Sequence, residues 1–150
     1  MTDMFPITQV MPHKGKMNLL DKVIDAGPDH LVAQVLITEH SLFYSDRGVP
    51  AWVGLEYMAQ AIAAQAGVLA RQCGKEPPVG FLVGTRSYRT NTEYFPLDTN
   101  LTISIERAYR ADNGLGVFDC SISGENITAT CALNVFQPTD VNAYLEEVLK

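Results

Sequence analysis

Apolar and polar residues alternate through "LTISIERAY" and "ITATCALNVF", the period-two pattern of a strand with one buried face. The pattern predicts strands over residues 100–110 and 127–136, with two more at 79–90 and 116–123. "RADNGLG" and "SGEN" supply hairpin turns among the last three. Upstream, "MNLLDKVIDAGPDHLVAQVLIT" reads as strands over 17–26 and 31–38 around a Gly-Pro-Asp turn.

The stretch "GVPAWVGLEYMAQAIAAQAG", Gly48 to Gly67, breaks this rhythm. It is small and apolar almost throughout, with Glu56 as its one charge. Pro50 suits the first turn of a helix, because its missing N–H would be unpaired there anyway. The helix is expected to run to about Cys73 and to stop at Gly74 in a left-handed cap. Residues 2–10 read as a short helix limited by Pro6, and "TDVNAYLEEVLK" as a terminal one capped by Thr139 or Asp140. Two strands, one long helix and four strands describe an α+β protein with an antiparallel sheet and a segregated helix. A helix apolar nearly all round must be enclosed, so the sheet is expected to wrap around it. No repeat or linker divides the chain, so residues 1–150 form one domain.

Bulk properties narrow the partners. A chain of 150 residues typically buries about 70% of its unfolded surface, enough for a core without staples. The net charge is −6 and no basic stripe is present, which argues against nucleic acid. Cys73, Cys120 and Cys131 lack CxxC spacing, as reduced thiols in a cytoplasmic protein do, and no His or Cys cluster has zinc spacing. The N-terminus lacks the layout of a signal peptide. Residues 52–70 have the length of a membrane span, but Glu56, Gln60 and Gln65 interrupt them, so no membrane contact is expected.

"MPHKGKMNLLDKVID", followed at a distance by "GLEYMAQAIAAQAGVLA", resembles the hotdog-fold β-hydroxyacyl-acyl-carrier-protein dehydratases. The later "VGFLVGTRSYRTNTEYFPLD" matches that family's strand leading to a Pro-x-Asp turn, so the resemblance covers residues 11–136. "VPAWVGLEYMAQAIAA" is similar to the divergent, ApeP-like branch associated with aryl-polyene pigment clusters. The resemblance implies a hotdog fold, a curved antiparallel sheet around one central helix. It also implies a dehydratase of 3-hydroxyacyl groups on acyl carrier protein, in fatty-acid or polyene biosynthesis, without metal or redox cofactor. One departure stands out. Mainstream members carry the catalytic histidine in a Gly-His-Phe-Pro-Gly loop, whereas this chain has the shortened "SLFYSDRGVPAWVG".

Dehydration needs a base for the proton beside the thioester carbonyl, an acid for the departing hydroxyl, and N–H donors for the enolate-like oxygen. Glu56 suits the acid or base role; the plain alternative is a solvated carboxylate near a helix N-terminus. Gln60, one turn on, is placed to orient it. Amides around Gly48 and Val49, up to Ala51, are expected to meet the thioester oxygen, with Gly48 permitting close approach. For the imidazole, His13 in "PHKG" matches the family's Pro-His loop; His40 lies early in the altered loop and His30 in a turn. Tyr44 and Asp46 are fallback polar groups. Lys14, Lys16, Arg47, Arg86 and Arg89 are candidates for a carrier-arm phosphate. Three readings follow: a dehydratase, a thioesterase on the same scaffold, and a subunit that supplies half of a shared pocket as a homodimer or heterodimer.

Overall fold

A computed structural model of the chain describes residues 7–10, 18–75, 81–111 and 113–136. Its elements in order are α1 (Ile7–Val10), β1 (Lys22–Ala26), β2 (His30–Leu36) and β3 (Val49–Pro50). A 3-10 turn at Ala51–Val53 then leads into α2 (Gly54–Gln72). The remainder is β4 (Phe81–Thr90), β5 (Tyr94–Phe95), β6 (Asn100–Arg110), β7 (Leu115–Gly124) and β8 (Ile127–Phe136). The expected segments 2–6 and 137–150 lie outside the described residues.

Six strands form one antiparallel sheet in the order β1-β2-β6-β7-β8-β4, and β3 pairs separately with β5. Alternation decides which face is buried. Leu31, Ala33 and Val35 of β2, Leu101, Ile103 and Ile105 of β6, and Phe118, Cys120 and Ile122 of β7 are all buried. They form the floor on which α2 lies. From the helix, Tyr57, Met58, Ala61, Ile62, Ala64 and Val68 are buried against this floor. Burying each larger apolar side chain contributes about 1.5–3 kcal/mol.

Two buried polar groups on α2 pin the β1 hairpin. Gln60 Oε1 accepts the Leu19 N–H at 2.8 Å, just before β1. Gln65 Nε2 donates to the carbonyls of Pro28 at 2.8 Å and Gly27 at 3.2 Å, in the turn after β1. The glutamines that interrupt the apolar run are therefore the clips that hold strand to helix. This also explains why β1 begins at Lys22 and not at residue 17 as expected: the chain at Leu19 is drawn onto α2. β2 ends at Leu36 because Ile37 is taken over by the loop before β6, exchanging bonds with Thr99 and Asp98. The helix ends as expected, with Gly74 in the left-handed region at φ 73°. No described helix is long and apolar enough to cross a membrane.

Close approach of backbone to helix occurs at Gly67, where a Cβ would run into the carbonyl of Val10 in α1. Alanine is the better helix former by about 1 kcal/mol. Overpacking against a fixed backbone typically costs about 1–3 kcal/mol and dominates. Gly67→Ala is therefore expected to lower stability, read as a lower urea midpoint at unchanged m-value.

Tyr88 ties β4 to the start of the helix, its hydroxyl donating to the carbonyl of Ala51. Burial, with a smaller contribution from Cys131, pushes this phenol from the ordinary value near 10 up to about 12. A raised phenol pKa favours the protonated, folded form. Its stabilisation is complete below pH 10 and is lost as pH rises through 12. Tyr88→Phe should flatten the fall in stability over that window in pH-dependent denaturation.

Candidate active site

The residues ahead of α2 are arranged by β3 and its short ladder with β5. Val49 pairs with Phe95 and Pro50 with Tyr94. The Ala51 N–H donates to the Glu93 carbonyl at 2.9 Å, and Tyr88 holds the Ala51 carbonyl. With its origin so fixed, the helix presents Glu56 in its first turn, exposed to solvent. Trp52, one turn earlier on the same face, is 58% exposed. Its ring meets that of Phe43, 53% exposed, at 5.0 Å between centroids. Phe43 has a φ of 67°, a region uncommon for so bulky a side chain.

Gln60 is 1% exposed and joins the fold to the carboxylate. While its Oε1 accepts from Leu19, its Nε2 donates to Glu56 Oε1 at 3.4 Å. The partly open stripe runs from Trp52 in the 3-10 turn through Glu56, Ala59 and Ala63 of α2, the spacing of a single helical face. Glu56 is the one charged group on it.

Other expected site residues fall elsewhere. The Gly48 N–H donates to Ser45 O at 2.9 Å, and the space above Gly48 is filled by the Phe95 carbonyl. Its φ is 111°, in the left-handed region that favours glycine. Val49 is fully buried in its pairing with Phe95. The amides of Gly48 and Ala51 have backbone partners inside the fold. His13, Lys14 and Lys16 lie outside the described residues. His40 lines a separate cavity of about 480 Å3, with Asp21, Leu19 and Tyr57 among its walls. Burial first, and Asp21 next, pushes the Tyr57 phenol well above its usual range. His30 is paired with Asp25 at 3.2 Å. Arg47 lies over the Tyr94 ring at 5.7 Å, and Arg86 and Arg89 are on β4.

Leu19, Asp21 and Tyr88 were not singled out by sequence reasoning. Each acts through a partner far away in the chain, and no spacing rule signals it. Among the described residues no three His, Cys, Asp or Glu side chains converge as a metal site would require.

The model of the ApeP-like family, described as ApeP dehydratase, matches residues 5–146. The ApeI:P dehydratase heterocomplex from Xenorhabdus doucetiae is 25% identical, with a TM-score of 0.83 over 97% of this chain and 99% of that one. A hypothetical thioesterase with coenzyme A from Streptococcus pneumoniae is 16% identical, with a TM-score of 0.61 over 77% and 86% of the two chains. The Escherichia coli PaaI protein of phenylacetic acid degradation is 13% identical, with a TM-score of 0.58 over 77% and 78%. No curated protein sequence matches. The hotdog fold expected from the motifs is borne out by these likenesses, and the chain belongs to the ApeP-like dehydratase family.

Proposed function

We propose that the chain dehydrates 3-hydroxyacyl groups carried on an acyl carrier protein, in fatty-acid or polyene biosynthesis in the cytoplasm, as one half of a hotdog pair. The observation that carries this reading is the place of Glu56. It stands exposed on the uncovered stripe of α2, with Gln60 holding one of its oxygens. A second subunit laid over the stripe would close the carboxyl off from bulk water. Protonated Glu56 then donates to the C3 hydroxyl while an imidazole removes the C2 proton. The C3–O bond breaks, a C2–C3 double bond forms, and water leaves. An imidazole suits the base role because its ordinary pKa lies near neutrality.

The second subunit supplies that imidazole in this reading, which the heteromeric nature of the ApeI:P relative supports. His13 of this chain is the alternative source. Charge growing on the thioester oxygen would meet the positive end of the helical segment, where the Trp52 amide precedes the first intrahelical bond. Protons and water are the only species exchanged, so the reaction calls for no redox or metal cofactor. Hydrolysis is the rival chemistry on this scaffold, with the carboxylate activating water. Incubation with 3-hydroxyacyl and saturated thioesters separates the two, since dehydration yields an enoyl product and hydrolysis a free thiol.

Combined with a hotdog subunit that carries the Gly-His-Phe-Pro-Gly loop, Glu56→Gln is expected to lower turnover at least ~100-fold. Assembly by size-exclusion chromatography should be unchanged, and retained turnover would reject the role given to Glu56. His13→Ala should leave the rate of the pair unaltered; a comparable loss there would assign the imidazole to His13 instead. Gln60→Leu removes the acceptor of the Leu19 amide, costing about 1–3 kcal/mol in denaturant unfolding. It should also reduce kcat more than it raises KM, because the carboxyl loses its tether.

A further inference from the structure

The face of the sheet turned away from α2 carries an ordered set of charges that the dehydratase reading does not use. Strand register sets out two rows across it. In the first, His30 is opposite Glu106, Glu106 opposite Asp119, Asp119 opposite Ala132, and Ala132 opposite Arg86. In the second, Ser104, Ser121, Thr130 and Arg89 follow one another across β6, β7, β8 and β4. Residues three apart on a regular strand point to opposite faces. Here the register shifts between Arg86 and Arg89, with Ser87 at a φ of 54°, and both arginines border the same groove of about 810 Å3.

This arrangement is costly for a lone chain. Two carboxylates directly opposite on neighbouring strands destabilise one another. Among the described residues, no ion pair reaches Glu106, Asp119, Arg86 or Arg89. Acids sit on the inner strands and bases on the edge strand, separated by small side chains.

We propose that this face docks a second copy of the same chain about a two-fold axis parallel to the strands, between β7 and β8. Such an axis sets β4 of one copy over β6 of the other, and β8 over β7. Arg86 then faces Glu106, and Asp119 faces Ala132, whose small side chain leaves room for Arg86 to reach both carboxylates. Thr130 faces Ser121, hydroxyl to hydroxyl. The arginines at the rim of one groove fill the floor of the other. Sheets packed face to face keep their strand directions within about 30°, as this axis requires.

The four strands that overlap across this axis, about 4.8 Å apart and ten or eleven residues long, share an area on the order of 600 Å2. That lies at the low end of specific interfaces, which bury about 1,200 Å2 in total. A purely anionic or purely cationic partner would meet like charge in half of the patch; in a second copy Arg86 meets Glu106, while Asp119 and Arg89 meet the uncharged Ala132 and Ser104. The docking leaves Glu56 free, because α2 lies on the other face.

Sedimentation velocity on the full chain tests this. Arg86→Glu with Arg89→Glu should halve the mass of the wild-type assembly, weakening association at least tenfold. Glu106→Arg with Asp119→Arg should do the same. An equimolar mixture of the two doubly substituted proteins, now all-acidic and all-basic on this face, should restore the wild-type mass. The wild-type assembly should itself dissociate between roughly 50 and 500 mM salt, a readout independent of any variant. The proposal is overturned if either double variant keeps the wild-type mass, if the mixture stays at the halved mass, or if salt leaves the wild type unchanged.

Discussion

A nineteen-residue helix made largely of alanine and other small apolar side chains has little to offer water on any side. Such a helix is stable only when enclosed, and its thin side chains let the enclosing backbone come close. The sheet covers one side, α1 reaches Gly67 so closely that any side chain there would collide, and β4 reaches the helix start through Tyr88. Two polar side chains inside this enclosure must find partners, since an unpaired buried amide costs about 1–3 kcal/mol. Gln60 Oε1 and Gln65 Nε2 find theirs in the backbone on either side of β1, while Gln65 Oε1 is left without one. The need to bury α2 and the placement of the edge hairpin are therefore one problem with one solution.

The same constraint gives Glu56 its character. With the sheet on one side and the β1 hairpin clipped alongside, the uncovered stripe is narrow and bears Trp52 and Glu56. Gln60, itself fixed by the Leu19 amide, holds one oxygen of this carboxylate at 3.4 Å across one helical turn.

Much of this was legible before any coordinates. β6 and β8 have the bounds their alternation predicts, because β8 buries one face along its whole length and β6 does so through Ile105. The helix stop at Gly74 was readable from its left-handed preference. Glu56 stood out as the one charge in an apolar run. Hidden from local pattern were β3 and β5, since a two-residue ladder has no period to detect. The shortening of β1 was equally hidden, because it follows from a bond between residues 41 apart. The approach of the Phe95 backbone to Gly48 is hidden for a related reason, since it comes from a strand distant in the sequence. Sequence spacing locates groups that act alone and fails where a partner arrives from another strand.

The two faces of the sheet divide the work by the parity of the strands. Along β6, Leu101, Ile103 and Ile105 point to the helix, while Thr102, Ser104 and Glu106 point away. Along β7, Asp119 and Ser121 alternate with Phe118, Cys120 and Ile122 in the same way. A one-residue slip in register would send charge into the core, so the hydrophobic face fixes the positions of the outer charges as a by-product. The bulge in β4 between Arg86 and Arg89 breaks that parity, so that both arginines border one groove while Tyr88 still turns inward to the helix. A regular strand would have to give up one of these three side chains. The irregularity thus reconciles the anchoring of α2 with the outer rows of charge.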